Sequence, residues 1–433
     1  MAKTLTPLDA RALMTSLCKQ ATGQTSIAIT STADFVSVGE QVLATGVENT
    51  LNALSIILGK TFMAVRPYEA KFKIVDAVNS DLYNTRTRKI SFYSRDPKAT
   101  GDWNTDKNGL NLAMGRDNGA TGTLDSGSTS ATPSMWEQNA PVPLELNFAG
   151  IDTWEDSTTV YRYQLKQAFS NESEFASFVA GVMTEKGNDI ESQKEAFNRM
   201  TLLNFMAGLY DLDTANPNGR KINLTKAFND FYGTSYTSSQ LRSTYLKSFL
   251  EFMVATIKTV SDYMTHRSAK YHWSPAKTVA GQSYTLLRHT PKSKQKLVLY
   301  NPLFKKAEAM VMPEIFNDRY LSLGNFESVD YWQGFAGDDT DASIKITPSI
   351  PNLASPSSGQ TTGTTVELDY VVGMLFDTDA IMNMYMLEDS LATPVEARKR
   401  FYNIWWSFAK NGINDFTENA VLFTMEDPTT EGD

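Results

Sequence analysis

Leu144-Glu-Leu-Asn-Phe148, Trp154, Val160-Tyr-Arg-Tyr-Gln-Leu165 and Ser170-Asn-Glu-Ser-Glu-Phe175 lead into residues 148–209, the stretch that decides how the rest of the chain is read. The first piece alternates apolar and polar residues, the period of a strand with one covered face. With 160–165 it reads as a strand hairpin. At Ser170-Asn171 the period changes. Phe175, Phe178, Val179, Val182 and Met183 recur at offsets of three and four, one apolar stripe on a helix. Asn171 or Ser173 is the expected cap, because a short polar side chain accepts bonds from the first unpaired amides. Glu172 and Glu174 set negative charge beside the positive helix end. After a polar break at Gly187-Asn-Asp189, the residues Ile190, Phe197, Met200, Leu203 and Ala207 resume the helical pattern. Strands that feed a long spine helix give an α+β chain.

On the N-terminal side, residues 1–62 read as an arm. Leu8, Ala12, Leu13, Leu17 and Cys18 predict a short helix, and Val42, Leu43, Val47, Leu51, Leu54, Ile57 and Leu58 a second. The Ser/Thr-rich sequence between them has little reason to fold alone. Phe62-Met-Ala-Val-Arg66 reads as a strand. In residues 80–147, two strand-like margins, Lys89-Ile-Ser-Phe-Tyr93 and Val142-Pro-Leu-Glu-Leu-Asn-Phe148, enclose a Gly/Ser/Thr/Asn-rich stretch over 99–134. A loop of that length is either functional or a disordered insertion. The functional alternative is a long hairpin ordered against a neighbouring copy.

On the C-terminal side, Leu246, Phe249, Leu250, Met253, Ile257, Val260 and Met264 share a helix face, with Ser238 or Ser239 as its cap. Leu297-Val-Leu-Tyr300 is a strand and 303–312 a helix closed by Pro313. Residues 336–365 read as a polar loop. Glu367 to Phe376 and Ala380 to Met386 follow as strands, the second helical in part. Arg400 to Phe408 and Asn419 to Thr424 close the chain as aromatic-rich strands, and 428–433 as a disordered tail.

The chain has 433 residues, 41% hydrophobic and 21% charged, a soluble globular composition with room for two or three domains. Cys18 is the single cysteine, so no internal disulfide exists and a reducing compartment is expected. No apolar run reaches the ~20 residues that cross a bilayer, and no signal peptide opens the chain. A net charge of −9 opposes tight, general nucleic-acid binding but leaves room for loose contact.

Catalytic chemistry is hard to place. His266, His272 and His289 are the only histidines; no ligand set completes them, and they read as surface or helix-end residues. The chain has no P-loop, dinucleotide fingerprint or nucleophile elbow. Asp211, Asp213, Asn216, Asn218 and Gly219 have the wrong register for a calcium loop. Asp338, Asp339 and Asp341 read as a solvated acidic loop. No catalytic, cofactor-binding or metal residue is therefore assigned, and no cofactor is expected. Basic residues gather at Lys71, Lys73, Arg86, Arg88, Lys89, Arg95 and Lys98, near Phe72, Phe92, Tyr93 and Trp103. A nucleic-acid groove would combine such residues; an acidic patch on an adjacent subunit suits them better.

Ser173-Glu-Phe-Ala-Ser-Phe-Val179, Leu297-Val-Leu-Tyr-Asn-Pro-Leu-Phe-Lys-Lys-Ala307, Phe376-Asp-Thr-Asp379 and Trp405-Trp406 with Asn419-Ala-Val-Leu-Phe423 together resemble the HK97-type major capsid proteins of tailed bacteriophages, most of all those of phi29-like short-tailed phages. The resemblance spans 61–424. It implies an HK97-like capsid fold: an N-terminal arm over 1–62, an extended loop over 80–147, a peripheral domain with the spine helix over 63–79, 148–237 and 406–427, and an axial domain with a mixed sheet flanked by helices over 238–405. It implies a major capsid protein that self-assembles into hexamers and pentamers of an icosahedral head around double-stranded DNA, located in the virion and assembled in the bacterial cytoplasm. No long acidic N-terminal extension is present, which implies a separate scaffolding protein, with a portal as a further partner. Under this resemblance the inter-subunit contact candidates are Leu51, Leu54, Arg88, Tyr93, Arg95, Trp103 and Trp136. Another virion component (tail, fibre or baseplate) or an enzyme without a recognisable motif are the alternatives.

Overall fold

The computed structural model describes residues 7–22, 29, 31–44, 72–75, 86–94, 141–149, 152–161, 172–275, 277–279, 282–310, 326–352, 359–394, 396 and 398–427. Phe62 to Arg66, 99–134, Pro313 and 428–433 lie outside them, as do the contact candidates Leu51, Leu54, Arg95, Trp103 and Trp136.

The axis of the molecule is a helix of 44 residues, Glu172–Ala215, roughly 66 Å long at 1.5 Å per residue. It runs unbroken through Gly187-Asn-Asp189, where the sequence pattern lapses. Packing supplies what local propensity lacks there: Ile190 and Glu191 are buried, and Lys186 reaches Asp156 on a neighbouring strand at 2.9 Å.

The two largest sheets among the described residues lie along this helix. One has five strands in the order Lys221–Asn223, Ala420–Thr424, Val371–Asp377, Gln295–Tyr300, Phe326–Val329. Its three central strands are antiparallel and its edge strands pair in parallel. Every residue of Val371–Asp377 and Ala420–Thr424 is buried, the mark of strands covered on both faces. Gly373 is required there, since a Cβ would lie 2.2 Å from the Val298 carbonyl oxygen. The second sheet has three antiparallel strands, Ile381–Ala392, Phe401–Asn414 and Asp152–Tyr161. Tyr402, Ile404, Trp406 and Phe408 alternate inward from its central strand. Asn198 of the long helix ties it down, accepting from Asn383 at 2.8 Å and from the Tyr385 hydroxyl at 2.5 Å.

Several expectations need correction. The strands around 144–148 and 160–165 do not pair with each other: Pro143–Ala149 pairs with Arg86–Phe92, and Asp152–Tyr161 with Phe401–Asn414. Trp154 stacks on Phe408 at 4.6 Å, which holds its strand in the distant sheet. Part of the Ser/Thr-rich stretch folds as the helix Thr32–Ala44, which buries Phe35 and Val42, as Pro7–Thr22 buries Met14, Leu17 and Cys18; of the helix expected over 42–58, residues 45–58 lie outside the described residues. The helix near 238 is two, Ser238–Ser243 and Leu246–Met264, and its cap is Thr237, in a capping box with Gln240. The strand expected over 367–376 divides into Val366–Leu368 and Val371–Asp377, and Ile381–Ala392 is strand throughout. Residues 336–365 hold short strands at Ile344–Ile346, Ser349–Pro351 and Gln360–Thr362, made by apolar positions buried at Ile344 and Ile350.

Strand pairing also crosses the expected domain limits. Lys221–Asn223 and Ala420–Thr424 join the sheet of 295–300 and 371–377, and Ile381–Ala392 joins the sheet of Asp152–Tyr161.

Candidate assembly surface

The hairpin Arg86–Phe92 with Pro143–Ala149 has two unlike faces, because successive side chains of a strand point opposite ways. Lys89 and Ser91 face the body of the molecule. Ile90 and Phe92 face out, 50% and 58% exposed. Register places Glu145 opposite Ile90 and Pro143 opposite Phe92, both exposed. The usual pattern of a surface strand, apolar in and polar out, is thus reversed over Lys89 to Phe92, while the partner strand keeps it, with Leu144, Leu146 and Phe148 inward.

A charge cluster holds the inward face. The Lys89 ammonium donates to Asp415 and, at 2.6 Å, to Glu418. Arg288 meets Glu418 at 3.3 Å and donates to the Ser91 hydroxyl at 2.9 Å. Burial pushes the Glu418 carboxyl up, and the Lys89 and Arg288 cations offset this only in part. Burial alone would lower Lys89; the attraction of Asp415 and Glu418 outweighs it, and its pKa is raised. Under the hairpin lies a cleft of about 1050 Å³, lined by Leu144, Leu146 and Phe148 on one side and Phe197, Met200 and Trp273 on the other.

Two contact candidates from the sequence fall on this hairpin. Arg88 is exposed and pairs with Glu145 at 2.9 Å. Tyr93 turns inward: it is buried, and its hydroxyl donates to the Pro275 carbonyl at 3.2 Å. Burial pushes its phenol up. Ile90 and Phe92, the outward apolar pair, were not among the candidates. Their alternation with Lys89 and Ser91 was the available signal. Lys89 is engaged by its own chain rather than left to face a neighbour.

Two further apolar patches stand exposed. Leu391 and Trp405 are register partners on the outer face of the three-stranded sheet, 63% and 41% exposed. Phe231 and Tyr232 stand at the end of Leu224–Tyr232, beside Phe252 at ring distances of 5.7 and 6.3 Å.

The residues weighed for chemistry are occupied by structure. His272 is fully buried, contrary to a surface placement: Nε2 meets the Leu286 carbonyl at 2.9 Å and Nδ1 the Lys270 carbonyl at 3.0 Å. Asp213 accepts from the backbone of Asn218 and Arg220, at 2.8 and 3.0 Å. Asp341 is buried, not solvated, and accepts from the amides of Ala336 and Gly337. Among the described residues no group of His, Cys, Asp and Glu is arranged to hold a metal ion, and no helix is long and apolar enough to cross a membrane.

The sequence model of one family, described as Phi29-like phage major capsid protein, matches residues 149–424. No curated protein matches the sequence. Among solved structures, a chain of the capsid of Staphylococcus phage Andhra aligns at 12% identity and a TM-score of 0.47, over 82% of this chain and 84% of its own. A chain of the mature capsid of bacteriophage PhiM1 aligns at 9% identity and a TM-score of 0.42, over 84% and 89%.

Proposed function

The chain belongs to the Phi29-like phage major capsid protein family, and we propose that the outward face of its hairpin is what joins one copy to the next in the shell. The protein forms the capsid of a tailed phage. Its copies close as hexamers and pentamers into an icosahedral head around double-stranded DNA. The five-stranded sheet, with the helices of 224–264, makes the axial unit, and the three-stranded sheet with the long helix makes the peripheral unit of an HK97-type subunit. Assembly takes place in the bacterial cytoplasm with a separate scaffolding protein and a portal, and DNA touches the wall only loosely.

The observation that carries the proposal is the pair Ile90 and Phe92, half-exposed on a face that the described residues leave open. Full burial of such a side chain is worth about 1.5–3 kcal/mol. Repeated at every subunit contact of a closed symmetric shell, that gain removes an aggregation liability and drives closure. Arg88 stands on the same face and belongs to this contact; Leu51, Leu54, Arg95, Trp103 and Trp136 extend it. Tyr93 supports it from the inner face.

The test is the double variant I90S/F92S, expressed as the full chain beside the wild type, with and without the scaffolding protein of the same phage. The expected outcome is a soluble subunit with unchanged circular dichroism and no closed particles in negative stain. Closed particles at wild-type yield would overturn the assignment.

A further inference from the structure

Residues 415–419 link the central strand of the three-stranded sheet, Phe401–Asn414, to Ala420–Thr424 inside the five-stranded sheet. The loop is fastened on every side. Phe416 stacks on Phe205 of the long helix, ring centroids 4.8 Å apart, and a Cβ at Gly208 would lie 2.5 Å from that ring. The Phe416 carbonyl accepts from the Trp273 amide at 2.8 Å. The Thr417 amide and hydroxyl donate to Asp415 at 2.9 and 2.6 Å. Asn419 contacts His272 at 3.1 Å and donates to Thr290 at 3.2 Å.

The hairpin is tied to this same loop. Lys89 binds Asp415 and Glu418, while Arg288 spans Glu418, the Thr417 carbonyl and the Ser91 hydroxyl. Two cations meet two carboxylates, so the cluster is neutral, and the Asp415 and Glu418 side chains are only 1% and 10% exposed. Elsewhere the underside of the hairpin faces the open cleft, where Leu144, Leu146 and Phe148 stand across from the body. The clasp at Lys89, with Tyr93 bonded to Pro275 and Ser94 bridged to Thr285 just beyond it, holds the strand 86–92 to the body, while the strand 143–149 faces the cleft and is left to tilt. A packed interface would fix the whole.

We propose that Lys89 is a positioning residue that sets the angle at which the hairpin leaves the body, by holding it to the loop shared by both sheets. The relative setting of the two sheets is thereby passed to the face bearing Ile90 and Phe92, and so to the curvature of the shell. This rests on the proposal that this face meets a neighbouring copy.

The test compares the wild type, K89R and K89M/E418Q. The double variant removes one charge of each sign, so the cluster stays neutral as a whole; Asp415 and Arg288 each lose a direct partner, and protection of 420–424 reports whether that loss reaches the core. Two readouts are taken: amide hydrogen exchange of the free subunit and particle diameter by electron cryo-microscopy. In K89M/E418Q, exchange across 86–92 and 143–149 should rise at least tenfold while 420–424 is unchanged, and shells should become mixed in diameter or fail to close. K89R should restore a single diameter. Shells of K89M/E418Q with wild-type diameter and closure would overturn the proposal, whatever the exchange shows. If the wild type makes no shells, the proposed contact function is what fails. The exchange readout then decides the clasp: a rise confined to the hairpin supports it, and unchanged protection overturns it.

Discussion

The strand Ala420–Thr424 and the strand Arg86–Phe92 lie within a few residues of the same loop and have opposite relations to solvent. All of Ala420–Thr424 is buried, between two antiparallel or parallel partners and under helices. Arg86–Phe92 has one partner strand among the described residues, turns Lys89 and Ser91 inward and shows Ile90 and Phe92 to solvent beside the exposed Arg88. The first region is complete within one chain, so its side chains govern whether a subunit folds. The second is incomplete, so its side chains govern what the folded subunit meets. A capsid subunit needs both kinds of region, because it must fold alone and then find its apolar contacts only in other copies.

That contrast breaks most readily in the core. F423A removes a fully buried ring from the five-stranded sheet and should cost about 3–5 kcal/mol, read as a large loss of denaturant midpoint. G208A forces a methyl group against the Phe416 ring; overpacking of this kind costs about 1–3 kcal/mol, and it should reach the hairpin through the 415–419 loop. His272 gives a pH-dependent test. Burial lowers its pKa below 6.5 in the folded chain, so the unfolded chain takes up a proton first as the medium is acidified. Its contribution is therefore complete above pH 6.5 and is lost as pH falls toward the folded value. H272Q should flatten that part of a melting-temperature profile, and an unaltered slope would show that other groups carry it. On the hairpin, R88A breaks an ion pair whose partners are 57% and 39% exposed; subunit stability should move by no more than about 0.5 kcal/mol. A loss as large as that of F423A would show that the hairpin belongs to the core.

Elements whose covering is local or complete were legible in the sequence. Leu297 to Tyr300, the apolar run through Phe376 and Ala420 to Phe423 read as buried strands because both faces are covered and the residues are continuously apolar. The stripes from Phe197 to Ala207 and from Phe249 to Met264 announced helices. Pairing was not legible, since Trp154 meets Phe408 across more than half the chain and no local pattern encodes such a partner. Nor was the buried histidine, whose two carbonyl partners come from separate segments. At the hairpin the alternation Lys89, Ile90, Ser91, Phe92 reveals two faces but not which one points inward. The acidic pair that decides it, Asp415 and Glu418, lies at the other end of the sequence.

The most direct test is an electron cryo-microscopy map of particles formed by the full chain, at a resolution that traces side chains. Ile90 and Phe92 of each subunit should be covered by residues of an adjacent copy, with Lys89 still bound to Asp415 and Glu418 of its own chain. A closed shell in which those two side chains face solvent, or contact only their own chain, would contradict the assignment of the hairpin as the joint between subunits.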